Sequence, residues 1–218
     1  MFRKRHFAEL LYSTYIMSLA KKSLLLIFLV LLIDQVSKFY IKLNFVLGES
    51  VDVFGWFKIF FIENNGMAFG MEIVGKLFLT IFRILAVGGL AYFIHRLIKK
   101  QARQGFVLAV SLLLAGAAGN IIDSVLYGVL FSDSYGHLAT FLPESGGYAP
   151  LFYGKVVDML YFPIIRNSMG ETIFFSPVFN IADSAISVSA VIILLFYRKD
   201  LNEHLESKKK KNNQTDEA

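Results

Sequence analysis

The stretch FVLAVSLLLAGAAGNIIDSVL, residues 106–126, decides the fold. It is long enough to cross a bilayer, which takes about 20 apolar residues, yet it carries Asn120 and Asp123 near its end. An ionisable side chain in such a setting is costly and marks a functional hypothesis. A near copy follows further along, where Asn120-Ile121-Ile122-Asp123-Ser124 is echoed by Asn180-Ile181-Ala182-Asp183-Ser184. In each phrase Asn and Asp are three residues apart, so on a helix they share one face.

The rest of the chain agrees with a membrane setting. The 218 residues are 56% hydrophobic and only 18% charged, with a mean hydropathy of +0.56, too apolar for an ordinary soluble domain. Apolar runs at about residues 23–43, 75–97, 106–126 and 177–197 read as four spans. The second and fourth are the least interrupted; the first carries Asp34 and Lys38. No cysteine is present, which excludes disulfides, thiolate metal sites and cysteine nucleophiles.

Charge orients the spans. Arg3, Lys4, Arg5, Lys21 and Lys22 precede the first; Arg96, Lys99, Lys100 and Arg103 join the second and third; Arg198, Lys199 and Lys208–Lys211 follow the fourth. The connections 44–74 and 127–176 hold only Lys58, Lys155 and Arg166. The positive-inside rule then expects both termini in the cytoplasm and both long loops outside. This placement accounts for the net charge of +5 without a nucleic-acid partner. Residues 1–22 read as a cytoplasmic N-terminal extension, with Met17 a plausible alternative start, and the first apolar run as a retained anchor. One membrane domain covers 23–200, and a disordered basic cytoplasmic tail is expected over 201–218.

The outer loops carry their own signals. Alternation and β-branched or aromatic residues over Val51–Ile62 predict short strands, and Glu63-Asn64-Asn65-Gly66 reads as a turn. Such a platform, spanning about 44–70, suits an extended peptide added at a sheet edge. The long second loop includes a Gly-, Ser-, Tyr- and Pro-rich excursion before the apolar return Gly154-Lys155-Val156-Val157-Asp158. Asp158 is thus a third carboxylate in apolar company. At about 1.5 Å per residue, Asp123 stands roughly 27 Å along its span from Gly105, and Asp183 about 9 Å below Pro177. Both lie in the outer half, where Asp158 can join them; Asp34 is expected deeper.

Two close buried carboxylates cannot both ionise cheaply, which splits them into a general acid and a general base. His6, His95, His137 and His204 lack metal-ligand spacing, so no metal is expected. A serine–lysine hydrolase finds no suitable pair, since Ser37 and Lys38 face different ways on a helix. Asp34 and Lys38, at i and i+4, read as an ion pair that makes both tolerable in lipid. The competing reading is a small proton-coupled carrier, in which the same Asp residues form a proton relay.

Five segments in order resemble the lipoprotein signal peptidases, or signal peptidase II. They are Asp34-Gln35-Val36-Ser37-Lys38, Asn64-Asn65-Gly66-Met67-Ala68-Phe69, Gly116–Asp123, Gly154–Asp158 and Phe179–Ser184. The resemblance implies an all-α polytopic membrane protein with four transmembrane helices, a small extracytoplasmic β-cradle and a long outer loop between helices 3 and 4. It implies an aspartic endopeptidase of the bacterial inner membrane that cuts diacylglyceryl-modified prolipoproteins before the lipidated cysteine, without cofactor or metal. By motif match, Asp158 and Asp183 would be the catalysts. Asn64, Gly66, Asn120 and Asn180 would hold substrate or catalytic groups, and Asp34, Lys38 and Asp123 would support them. Lipidated prolipoproteins and membrane lipids are the implied partners, with the oligomeric state left open. Two departures stand out: Ser124 occupies the place of the family's usual Arg, for which Arg166 is one substitute, and residues 127–153 form an insertion with the character of a lid or partner-binding loop.

Overall fold

A computed structural model of the chain describes residues 2–66, 73–166, 172–174 and 177–204. Helix α1 runs without a break over Phe2–Asn44, followed by β1 (Ser50–Phe54) and β2 (Phe57–Asn64). Helices α2 (Ile73–Lys99) and α3 (Gln104–Ile122) come next. The third helix does not end cleanly: a π-helical turn, Asp123–Tyr127, leads into the short α4 (Gly128–Leu130). After the insertion come β3 (Val156–Tyr161), β4 (Ile165–Arg166), β5 (Thr172–Phe174), β6 (Val178–Phe179) and α5 (Ile181–Phe196).

Three stretches are long and apolar enough to cross a membrane: Ser18–Asn44, Gly75–Lys99 and Gln104–Leu130. Their outward faces are apolar, with Leu25, Phe28, Phe82 and Leu85 all more than half exposed; lipid, not water, suits such a surface. The fourth expected span differs from its sequence reading. Pro177–Phe179 is extended because Val178 and Phe179 pair with Tyr161 and Leu160 of β3. The helix therefore starts at Ile181 and reaches Phe196, where the chain bends by 87° into a second helical segment, Arg198–His204. Residues 201–204, expected in a disordered tail, are helical, and 205–218 lie outside the described residues.

The strands form an antiparallel sheet in the order β1-β2-β3-β6. Ile62 pairs with Asp158 and Asn64 with Val156, so the end of β2 is fixed beside Asp158. Two apolar clusters bracket the polar residues. Leu19, Leu97, Phe106, Val107, Val110 and Ile193 fill the lower one; Ile41, Phe61, Tyr127, Phe131, Val157 and Met159 join the sheet to α1 and the end of the third helix. Small residues let α3 approach α5: a Cβ on Gly116 would stand 2.4 Å from the Ala182 carbonyl oxygen.

The insertion is laid back against the third helix. Backbone N–H groups of Leu142, Tyr148, Ala149 and Phe152 donate to carbonyls of Leu130, Phe131, Gly128 and Val125. Ser134 and Ala139 within it are buried. Exposed backbone would otherwise have to be satisfied by water at the membrane surface.

Candidate active site

The site is assembled around Asn180. This residue precedes α5 in an extended conformation, and its side chain accepts from the Asp183 N–H at 2.8 Å, capping the helix. The cap fixes Asp183 in the first turn, not two turns into a helix begun at Pro177. The other end of the Asn180 amide donates to Asp158 Oδ1 at 2.6 Å and to Asn120 Oδ1 at 3.1 Å. Asn120 in turn donates to Asp183 Oδ1 at 2.7 Å. On the sheet side, Asn64 donates to Asp158 Oδ2 at 3.3 Å, while its own carbonyl oxygen accepts the Gly66 N–H at 2.7 Å. Asn64, Asn120, Asn180, Asp158 and Asp183 thus form one connected network.

Asp158 is 1% exposed. Burial pushes its carboxyl up to about 7, with the charge of Asp183 adding to the rise and the Asn64 and Asn180 amides opposing it. An acid that holds its proton near neutrality and a second carboxyl within electrostatic reach make up the arrangement that general acid–base chemistry needs.

Below this layer lies a second one. Lys38, fully buried, stands 2.9 Å from Asp34 and 2.7 Å from Asp123, and donates to Asn120 Oδ1 at 3.0 Å. The i,i+4 pair expected from sequence is present, but Lys38 has a second carboxylate that helix spacing cannot foretell. Each carboxyl holds one element of the upper layer. Asp34 Oδ1 accepts the Ala182 N–H at 2.8 Å, in the first turn of α5, and Asp123 Oδ2 accepts the Val157 N–H at 3.3 Å, on β3. Asp34 thus fastens α1 to the first turn of α5. Ser37 and Ser184 both donate to backbone carbonyls one turn back, Asp34 O and Asn180 O.

Several groups escaped the sequence reading. Gln35 donates to Asp123 Oδ1 at 2.9 Å and accepts from the Tyr127 hydroxyl at 3.2 Å. Lys42, one turn beyond Lys38, meets Glu63, whose other oxygen accepts from Lys155 at 3.0 Å. The 34-38-42 spacing was the available signal for Lys42. Arg83, within the second expected span, lies against Gly66. The side chain of Arg166 and residues 67–70 fall outside what is described, as does the Met67-Ala68-Phe69 part of the second motif. Among the described residues, no group of His, Asp and Glu is spaced to hold a metal ion.

A family model described as signal peptidase (SPase) II matches residues 26–198. The chain belongs to the signal peptidase II family. A lipoprotein signal peptidase of Porphyromonas gingivalis is 45% identical over 194 residues, covering 84% of this chain and 86% of that protein. One from Amoebophilus asiaticus is 35% identical, covering 82% and 78%. Two solved structures, each a bacterial membrane enzyme studied by the in meso method, at 2.3 Å and 1.9 Å, superpose with TM-scores of 0.57 and 0.58. They share 28% and 29% identity and cover 84% and 80% of this chain, and 91% of theirs. Signal peptidase II is a peptidase family, so the carrier reading finds no support.

Proposed function

We propose that the chain removes signal peptides from diacylglyceryl-modified prolipoproteins, cutting before the lipidated cysteine, with Asp158 and Asp183 as its acid–base pair. The single observation that carries the pairing is Asn180, which caps the helix of Asp183 and donates to Asp158. Asp158, with its raised affinity for a proton, is the resting acid, and Asp183 is the base.

The reaction follows from these assignments. Asp183 takes a proton from water as the water oxygen attacks the scissile carbonyl carbon, and Asp158 gives its proton to the carbonyl oxygen. The resulting gem-diol collapses: one hydroxyl proton returns to Asp158, the C–N bond breaks, and the proton on Asp183 passes to the leaving amine. Both carboxyls end as they began. Asn64, Asn120 and Asn180 hold the pair in register, and Asp34, Lys38 and Asp123 anchor the elements that carry it.

Four spans, with α5 and the bent Arg198–His204 segment as the fourth, put both termini in the cytoplasm and the pair near the outer face, as the distribution of basic residues favours. An apolar groove of about 630 Å³ between α1, the sheet and α5, lined by Ile33, Val36, Tyr40, Ile59, Leu160 and Ile181, is the place for an acyl chain of the substrate.

The test is cleavage of a lipidated prolipoprotein by purified variants. Asp158→Asn and Asp183→Asn should each lower turnover by about a thousandfold or more while accumulating in the membrane. Parental turnover in either removes that residue from the chemistry. If Asp123→Asn alone destroys turnover while folding normally, Asp123 takes the place of Asp158 in the pair.

A further inference from the structure

The insertion lies at membrane depth. Leu130 ends the third apolar span and Gly75 begins the second, so both mark the same edge of a bilayer. The outgoing leg stays at that edge: Ser132 N–H donates to the Thr140 carbonyl at 3.1 Å, and Leu142 N–H to the Leu130 carbonyl at 2.7 Å. The return leg goes deeper. Ala149 N–H donates to the Gly128 carbonyl and Phe152 N–H to the Val125 carbonyl, each at 3.0 Å. The Phe152 carbonyl accepts from the Thr80 hydroxyl at 3.3 Å. Val125 and Thr80 each lie five residues inside their spans, which is about 7 Å from the edge. Two helices therefore assign Phe152 the same depth.

Both backbone polar groups of Phe152 are satisfied by the spans and not by water, as non-helical backbone inside a membrane requires. Leu142 and Phe152 have φ +50° and +72°, left-handed conformations that bulky residues rarely adopt. Each carries one of the N–H bonds to the third span.

The side chains fit the same setting. Leu138, Phe141, Leu142 and Leu151 are each 44–61% exposed. The Phe141 ring touches Phe39 of α1 and Phe131, with centroids 5.6 and 5.5 Å apart, so its free edge continues the apolar outer surface of α1. Residues 127–153 contain no lysine or arginine; tyrosines aside, their ionisable groups are Asp133, His137 and Glu144. Asp133 and His137 stand 3.7 Å apart in the turn before Leu138. An exposed apolar patch of this kind marks an interaction surface, and its continuity with the lipid-facing helices names lipid as the occupant.

We propose that residues 138–152 are a re-entrant apron of the membrane domain, with Leu138, Phe141, Leu142 and Leu151 seated among the acyl chains of the leaflet that holds Leu130. The seat depends on the third span crossing a bilayer and not on which carboxyls react.

The chain has no cysteine, so a nitroxide can be attached at one introduced residue of the full-length protein. The test places it in liposomes of phosphatidylcholine and phosphatidylglycerol. Power-saturation electron paramagnetic resonance then compares collisions with oxygen, which enriches in lipid, and with a water-soluble nickel chelate. Leu85→Cys, on the exposed apolar face of α2, is the lipid reference, and Glu144→Cys the aqueous one. Leu142→Cys and Leu151→Cys should both favour oxygen, with Leu151→Cys deeper by about 7 Å. Leu138→Cys gives a second reading at the edge if Leu142→Cys accumulates poorly. Nickel reaching positions 142 and 151 as readily as 144 overturns the proposal. So does spin–spin broadening between labels at 142 of two molecules, which would make the occupant a second copy. A Leu85→Cys label open to nickel would remove the membrane setting itself, and the apron with it. Retained cleavage in Asp158→Asn or Asp183→Asn would overturn the proposed reaction and leave these depths unchanged.

Discussion

Replacing Lys38 by Met is the most searching perturbation of the buried layer beneath the proposed catalytic pair. Lys38 sits 2.9 Å from Asp34 and 2.7 Å from Asp123, all three with fully buried side chains. At an effective dielectric constant near 20, each contact carries a gross attraction of about 6 kcal/mol. Desolvation of the three groups cancels most of that sum, yet removing one partner leaves the others buried and unpaired, at a cost of about 3–5 kcal/mol. For a chain of this length each kcal/mol moves Tm by about 2–4 °C, so Lys38→Met should melt roughly 6–20 °C below the parent. The loss should spread to both catalytic elements, because Asp34 holds the Ala182 N–H and Asp123 the Val157 N–H. Thermal unfolding in detergent micelles, paired with a prolipoprotein cleavage assay, measures both effects. The triple variant Lys38→Met, Asp34→Asn, Asp123→Asn carries no buried charge in the layer and should recover at least half of the lost Tm. A Lys38→Met enzyme melting within about 2 °C of the parent would refute the reasoning.

Two further outcomes follow from the geometry. With Asp158 as the acid, kcat should fall as pH rises through about 7, where its carboxyl ionises. The sign for stability is the same: a carboxyl whose folded-state affinity for protons is raised stabilises the fold at low pH and loses that contribution as pH climbs through about 7. An activity plateau running from pH 6 to 9 contradicts it. Glu63→Gln leaves Lys42 and Lys155 facing each other without their shared carboxylate, and should cost about 3 kcal/mol by thermal unfolding. A lowered kcat should accompany it, because Glu63 adjoins Asn64 on β2; an unchanged Tm counts against the cluster as a source of stability.

How much of this was legible in the sequence depended on the range of the interaction. The Asp34–Lys38 pair is written in i,i+4 spacing, and the strands of residues 50–64 in their alternation. The capping role of Asn180 is not legible, because an expected helix start at Pro177 puts that residue inside the span. The start of α5 is not legible because Pro177–Phe179 is apolar enough to continue a span; only pairing with β3 makes Val178–Phe179 a strand. The bond from Asp34 to the Ala182 N–H is not legible, because its partner lies on another helix 148 residues away. Gln35 and Lys42 are illegible for one reason: each meets a partner across the fold, and a single polar residue in an apolar run does not say which way it faces.

The bond from Asp34 to the Ala182 N–H joins residues 148 positions apart, and it bears on how the enzyme comes to life. A chain emerging from the ribosome passes through a long interval in which α1, α2 and α3 are inserted but Asp183 has yet to be made. In that interval Asp34 has no helix start to hold, Asn180 is missing, and Asp158 lacks its partner. If Asp158 and Asp183 are the acid–base pair proposed above, a chain that stops short of Asp183 lacks one of its two reacting groups, and its proteolytic power waits on the last span.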